Sequence, residues 1–386
     1  MAEIKNYYCS QKFDWVEIRL YDGFVASCCQ AQSHRVTLSD IKNHPVGFFN
    51  YSQIQKERQQ MLDNQPVAGC ETGCWSLERQ NIQSRRQQAG TDQKIYSTPE
   101  GIPKTLNLVI NNTCLQSCVY CCKNFSSSWL ADVVKNGDYN IPGYENRYNA
   151  SSHDKVLSRI SQPELHNSKF SQTVLEQIVE NSDQIEHLII TGGEPLLDNN
   201  LVRLLQELSH VPKITLYSGL TVATDRLQRM VDSMRSVSHL NFIISAENTN
   251  ALHEFNRYGS KQSLFDANLN IIKSNFSMQF SSTVSNATLF GLPDFLRKYS
   301  KDTVEFNLLV DPVYLAPNIL DDHSKQVVVE QLQASGRPNL YNVINYIMLP
   351  ADPVQKPVLK QFLDQYSKRR DLDLGIFPES WTHWMQ

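Results

Sequence analysis

The sequence lacks several features that would place it in a familiar class at once. No apolar run approaches the roughly 18–20 residues that span a bilayer, so we expect no membrane contact. The first ten residues contain no continuous apolar core, which argues against a secretory signal. The net charge of −4 is not accompanied by a basic patch, so nucleic acid is not expected as a partner. These absences predict a cytoplasmic protein.

Cysteine is missing from most of the chain. None of the nine cysteines lies after residue 122. A disulfide scaffold would spread its cysteines along the chain, and disulfides are rare in a reducing compartment, where clustered cysteines more often bind metal. Hydrophobic residues make up 41% of the chain and charged residues 20%, as in a folded globular protein. We therefore expect cofactor ligation in the N-terminal third.

From about residue 104 the pattern becomes one of short apolar segments that alternate with longer amphipathic ones. This alternation predicts a parallel sheet with crossover helices, either an open sheet or a barrel. The predicted strands are Leu106–Ile110, His187–Thr191, Lys213–Ser218, Leu240–Ser245, Ser277–Val284 and Val304–Val310. The predicted helices are Gln172–Val179, Asn200–Leu208, Thr224–Val237 and Ser263–Ser274, with Val327–Leu332 and Val358–Tyr366 in a helical tail. Residues 122–168 are predicted to form a long loop region with short helices.

Three cysteines follow the first of these strands. Cys114, Cys118 and Cys121 are separated by three and then two residues. Thiolates this close on one loop can hold three corners of a four-iron cluster, which leaves one iron open for a ligand. A structural zinc site, the alternative, usually has paired Cys-x2-Cys knuckles. The adjacent Cys122 is interpreted as a bystander, because neighbouring side chains rarely reach one cluster.

This motif resembles the signature of the radical S-adenosylmethionine (SAM) superfamily, including the aromatic Tyr120 before the third cysteine. The resemblance implies that Tyr120 lies against the adenine of SAM and that the open iron binds the methionine moiety. It also implies the reaction: the reduced cluster cleaves SAM to a 5′-deoxyadenosyl radical, which abstracts hydrogen from the substrate. A flavodoxin- or ferredoxin-type reductant is then expected as a partner.

A second motif follows the next predicted strand. Two adjacent glycines let the backbone approach a ligand closely, at the strand end where parallel folds place their active sites. Without this context, the segment Gly192–Pro195 would be interpreted as an ordinary turn. In the superfamily, a Gly-Gly-Glu motif at this place binds the methionine amino group. The resemblance thus assigns cofactor binding to Gly192, Gly193, Glu194 and Pro195.

Four further residues match the superfamily less specifically. Ser245 and Glu247 lie where relatives bind the ribose hydroxyls or the methionine part. Arg257 resembles an arginine that often follows that strand, and Asn286 ends a strand that in relatives lies near the adenine. The alternative for each is a solvated loop residue. His187 and His253 are nearest the proposed site and are interpreted as structural.

The remaining cysteines form a separate group. Cys9, Cys28, Cys70 and Cys74, with Gly23 between the first two, resemble the twitch subdomain, a short relative of the SPASM domain that holds an auxiliary four-iron cluster. Relatives usually carry this subdomain after the barrel, whereas here it precedes it. Cys29 remains an alternative to Cys28, and a structural zinc remains an alternative to the cluster.

Together these observations predict an α/β protein. We expect a twitch-like module over residues 1–89, a partial (β/α)6 TIM-like barrel over 104–312 and a helical extension over 313–386. The expected activity is that of a radical SAM oxidoreductase that modifies a peptide or protein side chain. The alternatives are a dehydrogenase, an enzyme acting on a nucleoside, sugar or aminocyclitol, and a non-catalytic zinc-binding interaction protein.

Overall fold

The computed structural model describes residue 4 and residues 6–43, 47–88, 95–151 and 168–385. The strands are β1 Trp15–Arg19, β2 Phe24–Ala26, β3 His34–Arg35, β4 Thr105–Val109, β5 Ser117–Cys118, β6 His187–Thr191, β7 Lys213–Ser218, β8 Leu240–Ser245, β9 Arg257–Tyr258, β10 Ser277–Val284 and β11 Val304–Leu308. All six strands predicted from the sequence are confirmed, with ends that differ by no more than two residues.

Helices fill most of the segments between the strands. The α-helices are α1 Gln11–Asp14, α2 Leu38–Asn43, α3 Ser52–Leu62, α4 Ser76–Arg79, α5 Arg85–Gln88, α6 Ser127–Asn136, α7 Glu145–Tyr148, α8 Lys169–Glu180, α9 Leu201–Glu207, α10 Thr224–Met234, α11 Asn250–Asn256, α12 Gln262–Asn275, α13 Leu292–Lys298, α14 Asp322–Ala334, α15 Tyr341–Ile347, α16 Gln355–Arg370 and α17 Glu379–Met385. Each helix predicted from the sequence is confirmed. Across the described ranges, no helix is both long enough and apolar enough to cross a membrane.

Contacts divide the chain into two compact units. The first unit comprises residues 1–112, 161–217 and 229–241, and the second comprises residues 113–160, 218–228 and 242–386. Strands and helices occur in both units, which makes the chain a mixed α/β protein. The partial barrel and the three domains stay predictions.

In the first unit, the sheet order is β7–β6–β4–β1–β2–β3. Strands β1, β4, β6 and β7 are parallel, β2 pairs antiparallel with β1, and β3 pairs antiparallel with β2. Leu106 and Leu108 on one face of β4, and Val109 on the other, are buried, as expected for a central parallel strand covered on both faces. Strand β1 was not predicted; its register aligns Trp15 with Thr105.

In the second unit, strands β11, β10 and β8 are neighbours in that order, and β5 pairs antiparallel with β9. The pairing of β5 with β9 aligns Cys118 with Arg257 and Ser117 with Tyr258. Helix α6 begins after the cysteine loop, where the hydroxyl of Ser126 caps it by accepting a hydrogen bond from the Trp129 amide. The segment predicted as a loop with short helices contains α6 and α7, and its residues 152–167 lie outside the described residues.

Candidate functional site

The loop that follows β4 brings three cysteine thiols together in the second unit. Cys114 and Cys118 are buried, and Cys121 is half-buried. Burial raises the pKa of the Cys118 thiol to about 11. The pKa of Cys121 is also raised, by burial first and then by the charges of Cys122, Cys118 and Cys114. The three predicted ligands are therefore close enough to interact electrostatically.

The first turn of α6 holds the start of this loop. The hydroxyl of Ser127 accepts a hydrogen bond from the Cys114 amide over 3.0 Å, and the hydroxyl of Ser128 donates to the Cys114 carbonyl over 2.6 Å. The amide of Gln116 points at Cys114 Sγ over 3.4 Å. A helix terminus with three consecutive serines thus fixes the backbone around the first cysteine.

Tyr120, Glu247 and Arg257 form one hydrogen-bonded group beside the cysteines. The Tyr120 hydroxyl donates to Glu247 Oε1 over 2.8 Å. Arg257 donates from Nε to Glu247 Oε2 over 2.8 Å and from Nη2 to Oε1 over 2.7 Å. The Nη1 atom of the same guanidinium lies 4.0 Å from Cys118 Sγ. The structure therefore brings three of the predicted cofactor-binding residues together at the cysteine loop.

Asn286 and Ser245 belong to the same unit. Asn286 is fully buried and donates from Nδ2 to the Tyr314 carbonyl over 2.8 Å. Its Oδ1 atom is buried without a hydrogen-bond partner in the described part of the chain. A buried, unpaired acceptor is costly unless a ligand supplies a donor. Ser245 is half-buried at the end of β8.

The Gly192–Pro195 segment lies in the first unit, at the carboxyl end of β6. The amide of Gly193 donates to the Asn111 carbonyl over 2.9 Å. A Cβ atom on Gly192 would lie 2.7 Å from that same carbonyl oxygen, so the turn requires glycine there. Glu194 is buried, and its Oε1 accepts from the Leu196 amide, which starts a short 3-10 helix at Pro195. The segment is a rigid turn at the end of a parallel strand.

The four N-terminal cysteines converge in the first unit. Cys9, Cys28, Cys70 and Cys74 line one small cavity. Burial raises the pKa of Cys9 to about 11 and that of Cys70 to about 12, and each of these thiols is also affected by Cys28 and Cys74. Cys29 is exposed and does not line the cavity.

Three cations line the same cavity. They are Lys12, Arg85 and Arg86. Lys12 is buried, donates to Ser27 Oγ over 2.8 Å and pairs with Glu57. Arg86 donates to the carbonyls of Asn6 and Tyr8, over 2.9 and 3.1 Å. Cations beside the thiols lower the cost of placing several thiolates in one cavity.

Among the described residues, no group of three or more His, Cys, Asp or Glu side chains is placed to hold a single metal ion. The histidines near the proposed site make ordinary contacts. His187 Nε2 lies 2.8 Å from Thr215 Oγ1, and His253 Nε2 lies 2.9 Å from Ser260 Oγ. Burial lowers the pKa of both imidazoles to about 4, in line with their interpretation as structural residues.

Sequence reasoning missed two contacts to the cysteine loop. The indole Nε1 of Trp129 donates to the Cys118 carbonyl over 2.9 Å. The hydroxyl of Tyr366, in α16, lies 2.7 Å from the Ser117 carbonyl. The periodicity of Val358–Tyr366 predicted the helix, but no signal in the sequence connects Tyr366 to a loop so far away along the chain.

Comparison with known proteins defines the class of this region. Residues 105–265 match the family model described as a 4Fe-4S single cluster domain. This match confirms the predicted [4Fe-4S] cluster domain. It agrees with the resemblance of the cysteine motif as far as the presence of such a cluster. No curated protein matches the chain.

Several solved structures are similar to the chain at low identity. The structure of native anSMEcpe with bound AdoMet and Kp18Cys peptide is 14% identical, with 68% of this chain and 60% of that chain covered and a TM-score of 0.34. SuiB from Streptococcus suis bound to S-adenosylmethionine is 12% identical, covering 82% and 68%, with a TM-score of 0.38. TYW1 with a lysine-pyruvate adduct is 14% identical, covering 72% and 80%, with a TM-score of 0.32. The chain thus spans 60% of the first of these structures, and the similarity is distant in each case.

Proposed function

We propose that the chain is a radical SAM enzyme. The observation that carries this proposal is the loop after β4, on which Cys114, Cys118 and Cys121 interact while Tyr120 is fixed between the second and third cysteine. Three thiols on one loop suit an iron–sulfur cluster, because iron–sulfur clusters prefer thiolate ligands. Three protein ligands leave one iron for SAM, as the sequence resemblance implies. When bound, the cluster would supply the electron that cleaves SAM to methionine and a 5′-deoxyadenosyl radical, which abstracts hydrogen from an unactivated carbon.

The residues of the second unit position the cofactor in this proposal. Tyr120 presents its ring to the adenine, and its hydroxyl bond to Glu247 fixes the orientation of the ring. Arg257 holds the Glu247 carboxylate in place. Asn286 Oδ1, the buried acceptor described above, suits an amino group such as that of adenine. Ser245 would bind a ribose hydroxyl.

In the first unit, the Gly192–Pro195 turn is proposed to bind the methionine amino group. The absence of side chains at Gly192 and Gly193 leaves the backbone carbonyls accessible to an ammonium donor. Glu194 adds a carboxylate of the opposite charge, and its contact with the Leu196 amide keeps that carboxylate oriented. Each of these roles rests on the resemblance to the superfamily.

We propose that Cys9, Cys28, Cys70 and Cys74 hold an auxiliary [4Fe-4S] cluster. Their convergence on one cavity lined by cations supports this assignment, and the position of Cys29 outside that cavity favours Cys28 as the ligand. Four thiolates would saturate the cluster, which suits electron transfer better than substrate binding. An electron acceptor within the same chain suits an oxidative outcome, because a substrate radical must lose an electron to give a stable oxidised product.

The proposed substrate is a peptide or protein side chain, and the proposed electron donor is a flavodoxin- or ferredoxin-type protein. Both follow from the resemblance to twitch and SPASM enzymes. Two of the similar structures contain peptides, the Kp18Cys peptide with anSMEcpe and the precursor peptide SuiA with SuiB. Those ligands belong to those proteins, and a peptide substrate for this chain is tested by mass spectrometry of candidate peptides after turnover.

The first experiment measures iron, sulfide and zinc in the anaerobically purified chain, together with 5′-deoxyadenosine formed after reduction with dithionite. The proposal predicts about eight irons per chain and nucleoside formation. About four irons with turnover would support the enzyme and contradict the auxiliary cluster. Zinc without iron, and no nucleoside, would contradict the radical SAM assignment and favour the zinc-binding interaction protein.

A pair of variants separates ligand loss from disturbance of the loop. Cys118→Ala removes a proposed cluster ligand, whereas Cys122→Ala removes the fully buried neighbour that we interpret as a bystander. We expect nucleoside formation to be abolished in the first variant and retained in the second. Persistent cleavage in Cys118→Ala would contradict the ligand assignment.

A further inference from the structure

The two peptide groups that flank Cys118 are both bound by side chains from outside the cysteine loop. The carbonyl before Cys118, that of Ser117, lies 2.7 Å from the Tyr366 hydroxyl. The carbonyl after it, that of Cys118 itself, accepts from Trp129 Nε1 over 2.9 Å. Fixing both peptide planes fixes the direction of the Cα–Cβ bond, and thereby the region that Cys118 Sγ can reach.

Tyr366 also contacts the strand that pairs with this loop. Its hydroxyl lies 3.2 Å from the Phe255 carbonyl, two residues before β9 starts. Since a hydroxyl has a single proton, this proton is shared between the Ser117 and Phe255 carbonyls. Tyr366 is fully buried, so its hydroxyl has no access to solvent and bonds these carbonyls instead.

Arg370 contacts the rings of both hydrogen-bond donors, Tyr366 and Trp129. Its guanidinium lies 4.1 Å from the centroid of the Tyr366 ring and 4.6 Å from that of the Trp129 ring. It also donates from Nη1 to the Tyr139 hydroxyl over 2.8 Å. Phe362, one turn earlier in α16, packs against both Trp129 and Tyr366. The end of α16 is thus anchored on α6 by stacking and by a hydrogen bond from Arg370 Nη2 to Asp132 Oδ2 over 3.3 Å.

We propose that α16 is a clamp on the cluster-binding loop and that Tyr366 and Trp129 are positioning residues for Cys118. The inference rests on the proposed function, because the clamp matters only when Cys118 binds a cluster. It gives the C-terminal helical extension, which no sequence signature covers, a role in cofactor retention. Neither side chain contacts SAM in this proposal; both act through the backbone of a ligand.

Ordinary packing is the competing explanation, and a matched pair of variants distinguishes the two. Tyr366→Phe removes one hydroxyl and keeps the ring. Tyr346→Phe does the same to another buried tyrosine of the C-terminal extension, whose hydroxyl lies 3.2 Å from the Leu309 carbonyl. Each variant loses one hydroxyl proton that bonds backbone carbonyls, two of them at Tyr366 and one at Tyr346, so small decreases in melting temperature are expected for both metal-free chains.

The measurement is the rate at which the anaerobically reconstituted chain loses iron to a ferrous chelator, with the electron paramagnetic resonance spectrum of the reduced cluster as a second readout. We expect Tyr366→Phe to lose its catalytic cluster about fivefold faster than the native chain, since the loss of one buried hydrogen bond changes an equilibrium by about that factor. Tyr346→Phe should match the native rate. The reduced spectrum should change only in Tyr366→Phe.

A second pair of variants keeps the proposal testable if Tyr366→Phe disturbs folding. Trp129→Phe removes the donor to the Cys118 carbonyl, and Trp381→Phe is its control, because the buried Trp381 Nε1 has no hydrogen-bond partner within the described residues. Faster iron loss in Trp129→Phe alone supports the clamp. Equal rates within both pairs would overturn it. A native chain that never binds iron would overturn the proposed function, and this inference with it.

Discussion

Arg257 binds both carboxylate oxygens of Glu247, with Nε 2.8 Å from Oε2 and Nη2 2.7 Å from Oε1. Both side chains are buried. Because Tyr120 donates to the same carboxylate, Glu247 is already bound by two residues before any ligand is considered. The ion pair therefore joins β9 to the segment after β8, and the Tyr120 hydroxyl joins the cysteine loop to the same carboxylate.

Removal of one partner of this ion pair is expected to lower the free energy of unfolding more than removal of both charges. Arg257→Met leaves the Glu247 carboxylate buried and unpaired, which should lower the free energy of unfolding by about 3–5 kcal/mol. The double variant Arg257→Met, Glu247→Gln leaves no buried charge and should recover much of that loss. Urea denaturation of the three chains measures the difference. Lys261→Met, which breaks the exposed pair with Glu254, is the control and should leave the urea midpoint unchanged.

The position of Cys28 and Cys29 predicts different results for two neighbouring substitutions. Cys28 lines the cavity with Cys9, Cys70 and Cys74, whereas Cys29 is exposed. Cys28→Ala should therefore reduce the iron content from about eight to about four per chain, and Cys29→Ala should leave it near eight. Iron analysis of both anaerobically purified variants decides the assignment. Loss of iron in Cys29→Ala but not in Cys28→Ala would identify Cys29 as the ligand.

Gly192 is expected to tolerate no side chain. A Cβ atom there would lie 2.7 Å from the Asn111 carbonyl oxygen, a backbone atom that cannot rotate away. Gly192→Ala should shift the turn and weaken SAM binding at least tenfold, which isothermal titration with the reconstituted chain would show. Gly336→Ala serves as a control, since Gly336 also has a positive φ but has open space where its Cβ would lie. Equal affinities in the two variants would argue against a role of this turn in binding.

His253 gives the stability of the chain a defined pH dependence. Burial lowers the pKa of its imidazole to about 4, below the value of about 6.5 expected in the unfolded chain. Between these pH values the unfolded state binds more protons than the folded state. The stabilising contribution of neutral His253 is therefore fully present above pH 6.5, and it decreases as the pH falls towards 4. The slope contributed by His253 should be about 1.4 kcal/mol per pH unit.

Denaturation curves between pH 4 and 7 test this slope in three chains. His253→Gln should flatten the curve by the contribution of one histidine. His239→Gln removes an exposed imidazole and should follow the native curve. If His253→Gln kept the native slope, another group would be responsible for the acid sensitivity.

The sequence predicted six strands after residue 104, because short apolar segments alternate there with amphipathic helices. It did not predict β1, Trp15–Arg19, in which charged residues alternate with apolar ones and whose parallel partner β4 lies about ninety residues away. Cys114, Cys118 and Cys121 were proposed as ligands from their local spacing, whereas the N-terminal cysteines were proposed from the resemblance to the twitch subdomain. Trp129 and Tyr366 were not predicted as part of the site, because their partners are backbone carbonyls, which leave no residue-type signal in the sequence.

The contact between Tyr366 and Ser117 also constrains the order of events during synthesis. The two residues are 249 positions apart. At about 5–20 residues per second, a ribosome needs roughly 12–50 s to travel from one to the other. Throughout that interval the three cysteines are already made while the helix that braces them does not yet exist. If the proposed clamp is correct, a cluster inserted early would occupy a loop without Tyr366, and we expect stable loading only after α16 has been synthesised.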